Sequence, residues 1–440
     1  MNGRVLRTEL RRSTALTAGA AVATAGTAGL YVLVLSDQTG LWAPQWTMLA
    51  GIQRIMLVVL WPLALGAGAW QARRDRRSRM EELLTTTPRP IRSRALPPAL
   101  AMGICLGLGY LLVLAAGALG VSTPYRHLGW APIAVAGALS LVAAGWLGLG
   151  IGRLLPSQYT PPVLAVAGFL LLVVPVQLAK DGPTGAAALL TPNLTSPLDE
   201  VTTVTTPVSL GQSAWFAALA LSGLVLLAVT RRRTAALAVV PAVLGLGIAL
   251  PVLTAAPASG LATDPAATAE VCTTDGGPAV CVLKVHENDL AALVGPARTA
   301  LALLAELPDA PTSVHEVPAD RPGPQPATEV WLDIENHLPG GSWLGTGDEL
   351  VMRVLAGGGT RPCPEQVDQG RALATAWLLG RFPLPGAEPP TEQASAREIE
   401  WYAARQAEWD DLRALPRDEQ VRRVTAIRTI GLQCVRGVER

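Results

Sequence analysis

Ala131-Pro-Ile-Ala-Val-Ala-Gly-Ala-Leu-Ser-Leu-Val-Ala-Ala-Gly-Trp-Leu-Gly-Leu-Gly-Ile-Gly152 runs for 22 residues without a charged side chain and is closed by Arg153. A hydrocarbon core about 30 Å thick takes roughly 20 such residues as helix. A soluble helix of this length would need a polar face, which this stretch lacks. It reads as a membrane span, and six more stretches of the first 256 residues read the same way, near 13–35, 48–70, 96–121, 163–179, 214–230 and 234–256, the 163–179 and 214–230 runs being short. The expected fold is therefore an α-helical polytopic membrane protein with about seven transmembrane helices over residues 1–256. Residues 257–440 are left as a separate domain.

The two parts differ in charge. Residues 1–256 hold 19 Lys/Arg and 8 Asp/Glu, residues 257–440 hold 16 and 26, and the opposite balances hide in a chain net charge of +1. Within the membrane part the basic residues fall on one side of the spans. Arg4, Arg7, Arg11 and Arg12 precede the first, eight arginines from Arg73 to Arg94 follow the second, Arg153 follows the fourth, and Arg231, Arg232 and Arg233 separate the sixth from the seventh. The opposite short loops carry Arg126 and Lys180. Positive residues in short loops stay in the cytoplasm, so the amino terminus is expected inside and, after seven crossings, the carboxyl-terminal domain outside a plasma membrane. Trp42, Trp46, Trp70, Trp130 and Trp215 are expected at span ends as an interfacial belt. The first span continues into Tyr31-Val-Leu-Val-Leu35 without a small-residue cleavage site, which suits a retained anchor better than a signal peptide.

Arg54 is the one charge inside a span. Lying near a span end, it is expected to snorkel to the outer headgroups, although a deep arginine would mark a functional site. Pro62 and Pro241 are weak indications of kinks. Small residues stripe several spans (Gly19 with Ala23, Gly103 with Gly107, Gly148 with Gly152), but in a chain this rich in glycine and alanine they assign no interface.

The most informative polar stretch is the loop after the second span, Gln71-Ala-Arg-Arg-Asp-Arg-Arg-Ser-Arg-Met-Glu-Glu-Leu-Leu-Thr-Thr-Thr-Pro-Arg-Pro-Ile-Arg-Ser-Arg94. Met80, Leu83 and Leu84 stand at i, i+3 and i+4, a short apolar face among arginines that suits a membrane surface or a partner's groove. Pro88 ends any helix there.

In this loop the chain resembles the ABC-2 type permease family, whose members carry a basic run, a glutamate, two leucines, small polar residues, then proline and arginine before the next span. Here these are Arg77 or Arg79, Glu82 beside Glu81, Leu83, Leu84, Thr87, Pro88 and Arg92. The stretch Val5-Leu-Arg-Thr-Glu-Leu-Arg-Arg12 resembles the family's short interfacial connector helix. The resemblance covers about residues 1–230; a seventh span and the outer domain extend beyond the family's usual six spans. It implies a bacterial plasma-membrane exporter subunit in which residues 73–92 dock on a separate ABC ATPase, with a second permease subunit as partner in the bilayer. ATP would be bound by the ATPase, leaving no cofactor in this chain. The rival expectation is a membrane-anchored binding or sensing protein that acts through its outer domain.

That domain is expected to be a small α+β, disulfide-bonded, extracytoplasmic unit joined by a tether around residues 262–267. Cys272, Cys281, Cys363 and Cys434 form an even set where disulfides persist, while Cys105 is alone in a span. Two short strands around Asp275-Gly-Gly would set Cys272 opposite Cys281, leaving Cys363 with Cys434. Helical periodicity covers 287–307, 367–379, 392–415 and 418–434; strands are expected at 328–335 and 348–355. Enzyme motifs are missing. The only lysines, Lys180 and Lys284, sit outside any G-x-x-x-x-G-K-[ST] loop. His286-Glu287 and His315-Glu316 have Leu290 and Ala319 where a second zinc-binding histidine would stand, and a dispersed site of His286, His315 and His337 is the poorer reading. Gly341-Ser342 does not open a nucleophile elbow. No catalytic, cofactor or metal residue is assigned, and no nucleic-acid partner is expected.

Overall fold

A computed structural model describes residues 13–36, 38–73, 91–121, 123, 125–179, 188–195, 197–229, 232–257, 259–318, 325–332, 347–360, 371–384 and 395–433. The chain divides into two compact units, Met1–Asp264 and Pro265–Arg440.

The first unit is helical: α1 (Ala15–Leu35), α2 (Trp46–Ile55), α3 (Leu57–Ala72), α4 (Ile91–Ala118), α5 (Trp130–Leu154), α6 (Thr160–Ala179), α7 (Thr206–Ala228) and α8 (Val239–Ala255). Five helices are long and apolar enough to cross a membrane, and a sixth span results if the bent pair α2–α3 counts as one. The run expected at 163–179 lies in α6, which is helical over Thr160–Ala179 and is not among those five. Helix α7 starts at Thr206, well before 214, because Pro207 pre-sets its first turn and its polar residues Ser209 and Gln212 are buried. That places Trp215 inside the helix; Trp46 and Trp130 do sit at helix starts, stacked at 5.7 Å.

Helix α5 is the hub, packed on α3, α4 and α7, while α1 packs on α4, α6 on α3 and α8 on α7. Several of the small residues that assigned no interface turn out to make these contacts within the chain, although Gly107 does not. Gly19 meets the Cys105 carbonyl, and Gly148 and Gly152 meet Leu65 and Ala69 of α3, at distances a side chain would block. Bending occurs at Met56, where α2 and α3 meet at 54°, rather than at Pro62, which stays inside α3. Pro241 lies in the first turn of α8, where an N–H has no helical partner to lose.

Part of the stretch expected to form a tether is instead paired: β2 (Leu261–Thr263) runs antiparallel to β1 (Thr202–Val204). Backbone groups satisfied by a strand partner do not behave as a free linker. Nearby, His127 Nδ1 accepts the Gly129 N–H at 3.1 Å and Nε2 stands 3.2 Å from Thr47 Oγ1. Burial holds this imidazole below its ordinary value of 6.5, with Asp264 partly offsetting. The closed loop therefore resists a proton that the opened loop accepts. Its closure is complete above pH 6.5 and weakens as pH falls below that value, since protonated Nδ1 can no longer accept from Gly129. Hydrogen exchange of the 125–130 amides, corrected for intrinsic rates, is expected to rise below pH 6.5 and to lose that dependence in His127→Asn. A flat wild-type profile would contradict this.

In the second unit a four-stranded sheet runs β3 (Glu270–Thr273), β4 (Ala279–Leu283), β5 (Ser313–Glu316) and β6 (Glu329–Leu332), the first pair antiparallel and the others parallel. The expected hairpin is present, with Cys272 and Cys281 in register and bridged. Helices α9 (Leu290–Leu304), α10 (Gly347–Leu355), α11 (Arg371–Leu379), α12 (Ala396–Ala414) and α13 (Arg417–Leu432) complete it. Val280, Val282, Val314 and Val330 of the sheet pack with Leu293, Ala297, Leu301 and Leu304 of α9 in one core. The strand expected at 348–355 is α10. Leu350, Val351, Val354 and Leu355 form one buried helical face, and Asp348 and Glu349 occupy the first turn. Helix α12 starts after Ser395, not Thr391, because Ser395 and Glu398 form a reciprocal capping box. Cys363 and Cys434 lie outside the described residues; the described flanks Gly359 and Leu432 are packed together.

Candidate functional site

Of the residues expected to couple to an ATPase, Arg77, Arg79, Glu81, Glu82, Leu83, Leu84 and Pro88 lie outside the described residues, and Arg92 is in the first turn of α4. The start of the loop is anchored, since Gln71 Oε1 accepts from the backbone N–H of Thr14 at 2.9 Å and from its hydroxyl. This ties the end of α3 to the start of α1. Arg153 at the end of α5 caps the Leu227 carbonyl at the end of α7 at 2.9 Å.

The polar centre of the membrane unit lies at the break between α2 and α3. Arg54 does not snorkel: it is fully buried, and its guanidinium turns into the bundle. Its Nε donates to the Pro192 carbonyl at 2.5 Å and its Nη2 to Gln212 Oε1 at 3.1 Å. Gln212 is held for this by donating from Nε2 to the Leu189 carbonyl at 2.8 Å. Beside them Trp215 Nε1 donates to the Leu190 carbonyl at 3.1 Å. Three carbonyls of the 189–192 segment thus take side-chain donors. Non-helical backbone among membrane helices requires such internal partners, because lipid supplies none.

The opposite wall is Tyr110 of α4 and Gly137 of α5. The backbone carbonyl of Tyr110 accepts Gln53 Nε2 at 2.6 Å. Gly137 is glycine for a steric reason: a Cβ there would stand 2.2 Å from the Tyr110 hydroxyl and 3.0 Å from Arg54 Cδ. The hydroxyl and the arginine stem therefore share one small space.

The geometry leaves several groups unmatched. Arg54 Nη1, the Tyr110 hydroxyl, Gln53 Oε1, Asn193 Oδ1 and Ser209 Oγ are buried without a hydrogen-bond partner. Among the described residues no carboxylate forms a salt bridge with Arg54. A buried ion without a counter-charge costs several kcal/mol and an unmatched polar group about 1–3 kcal/mol, so this cluster is costly to the fold. Sequence reading singled out Arg54 but missed Tyr110, Gln212 and Asn193. Tyr110 lies in the middle of the expected 96–121 span and Gln212 and Asn193 in the stretch before the expected 214 start, so nothing local in the sequence brought them together with Arg54.

In the second unit His286 and Glu316 form a buried pair, Nδ1 to Oε1 at 2.5 Å, and Glu316 Oε2 accepts the Leu283 N–H at 2.8 Å. The pair ties the end of β4 to β5. His315 does not join it; its Nε2 is 3.1 Å from Ser313 Oγ and its Nδ1 3.7 Å from Glu270. His337 is outside the described residues. Glu270, Cys281 and His315 converge, but the Cys281 sulfur is bonded to Cys272, so no thiolate is available as a ligand.

No protein-family model, curated protein or solved structure matches this chain.

Proposed function

We propose that the chain is the permease subunit of an ABC-type exporter in a bacterial plasma membrane, working with a separate ATPase and a second permease subunit. The observation that carries this reading is the broken span α2–α3, which brings a buried arginine and a non-helical segment into the middle of a multi-helix bundle. An anchor needs one apolar helix and has no use for an unmatched charge inside it, whereas transporters place such features where cargo passes. The Gln71–Thr14 anchor supports it further. A push on residues 73–92 would reach α1 and α3 together, and α3 continues to Arg54 across the break.

In this reading the amino terminus and the 73–92 loop face the cytoplasm, the second unit lies outside, and the chain itself performs no bond chemistry. Movement would be rocking of helix groups driven by the nucleotide cycle of the partner. The test is affinity purification of the tagged protein in mild detergent, with partner identification and an ATPase assay. A P-loop ATPase is expected to co-purify and to be lost when Glu82 and Leu83 are both replaced by alanine, with the protein still folded. Repeated recovery of intact protein without an ATPase would remove the exporter reading and move the search for function to the second unit.

A further inference from the structure

We propose that the cluster around Arg54 is a binding site for a hydroxyl-bearing phosphate ester, such as a polyol-phosphate headgroup. Three unmatched donors come from three helices: the charged Arg54 Nη1 from α2, the Tyr110 hydroxyl from α4 and the Ser209 hydroxyl from α7. Donors around a cation select an oxyanion, and hydroxyl and guanidinium groups arriving from separate elements suit the several oxygens of a phosphate. Two unmatched acceptors accompany them. Gln53 Oε1 is adjacent in sequence to Arg54, and Asn193 Oδ1 follows the Pro192 carbonyl that Arg54 holds. A fully ionised oxyanion cannot satisfy these two, because it carries no donor; hydroxyls on the ester can.

The remaining bonds of the cluster orient it. Pro192 and Gln212 fix two edges of the guanidinium, leaving Nη1 as its free edge, and the Tyr110 hydroxyl and the arginine stem are packed against Gly137, where a side chain would displace both. Arg54 is fully buried, so a ligand reaches it only when the helices part. This deepens the transport reading by naming a cargo or regulator class for the same site, but binding to the protein alone requires no ATPase.

The test uses the purified full-length chain in nanodiscs of phosphatidylcholine alone, of phosphatidylcholine with phosphatidylglycerol, and of phosphatidylcholine with glycerol phosphate in the buffer. Thermal unfolding and the lipids retained on the protein are measured. Wild type is expected to unfold at higher temperature with one of the two hydroxyl-bearing phosphates. Stabilisation by phosphatidylglycerol identifies a membrane-borne ligand, and stabilisation by glycerol phosphate a soluble one. Arg54→Gln is expected to abolish the shift. Because that variant also frees the Pro192 carbonyl, Tyr110→Phe is the decisive companion: it removes a hydroxyl that has no partner in the fold, so the protein should remain folded while affinity drops about tenfold or more. No shift with either ester, or the same shift in wild type and Tyr110→Phe, overturns the proposal. Ester binding without ATPase recovery would leave this site standing and remove only the exporter reading.

Discussion

Gly148→Leu is expected to yield no monodisperse protein after detergent extraction, and Gly148→Ala to lower the melting temperature markedly. Helices α3 and α5 meet backbone to backbone. A Cβ on Gly148 would stand 2.1 Å from the Leu65 carbonyl oxygen and 3.0 Å from the Ala69 nitrogen. The contact is reciprocal, since a Cβ on Gly68 would stand 2.2 Å from the Gly145 oxygen, and Gly152 continues the seam at 2.7 Å from the Ala69 Cα. A carbonyl within a helix cannot rotate away as a side chain can, so an added atom must push the helices apart. In a bilayer no hydrophobic force pulls them back, because lipid is as apolar as leucine; close packing holds this pair. Overpacking by a single methyl costs about 1–3 kcal/mol, and alanine should fall at the upper end here. Leucine adds volume that the seam cannot accept at all. Gly107 is the control: nothing lies within 4 Å of its would-be Cβ, so Gly107→Leu should extract and melt like wild type. A monodisperse Gly148→Leu protein with wild-type melting would show that α3 and α5 are not packed this way.

The same seam shows what a sequence can and cannot reveal. Period and hydropathy identify apolar stretches because membrane solvation acts on each residue locally, and for that reason the helical character of 131–152 was legible without a structure. Which glycine faces which helix depends on rotation about the helix axis, which mean hydropathy does not record. Gly148 packs against a carbonyl while Gly107 faces open space, yet both stand in similar small-residue stripes. Arg54 follows the same logic. Its position near a span end made snorkelling the cheaper expectation, and only the 54° break, together with carbonyl and amide partners 138 and 158 residues away, turns it inward. Cys272 and Cys281 were legible because a hairpin is a local arrangement. Residues 348–355 were misread because valines and leucines fill a strand and a short amphipathic helix alike, and the surrounding core decides between them.

In the second unit the largest single-residue effect is expected from Arg428→Met. Arg428 is 3% exposed, yet it forms no salt bridge among the described residues; all its partners are backbone carbonyls. Its Nε donates to Gly358 at 3.0 Å, Nη1 to Pro308 and Asp309 at 3.2 and 2.9 Å, and Nη2 to Ala327 at 2.6 Å. Burial holds the guanidinium below its ordinary range, with Asp309 partly offsetting. One side chain thus holds four carbonyls in three separate segments, joining α13 to chain 70 to 120 residues earlier. Methionine keeps an unbranched apolar stem but supplies no donor, so four carbonyls lose their partner together. Each buried carbonyl left without a donor costs about 1–3 kcal/mol, so the expected loss is several kcal/mol. Urea unfolding of the full-length protein in detergent, with an antibody-free readout such as pulse proteolysis of the second unit, should show a lower midpoint with unchanged slope. Arg428→Lys separates charge from geometry: an ammonium retains the charge but cannot span four carbonyls spread around a planar fork, so it should recover only part of the loss. Recovery to wild-type stability by lysine would mean that the buried charge, and not the fork, holds these segments together. An unchanged midpoint in Arg428→Met would mean that the segments hold together without it.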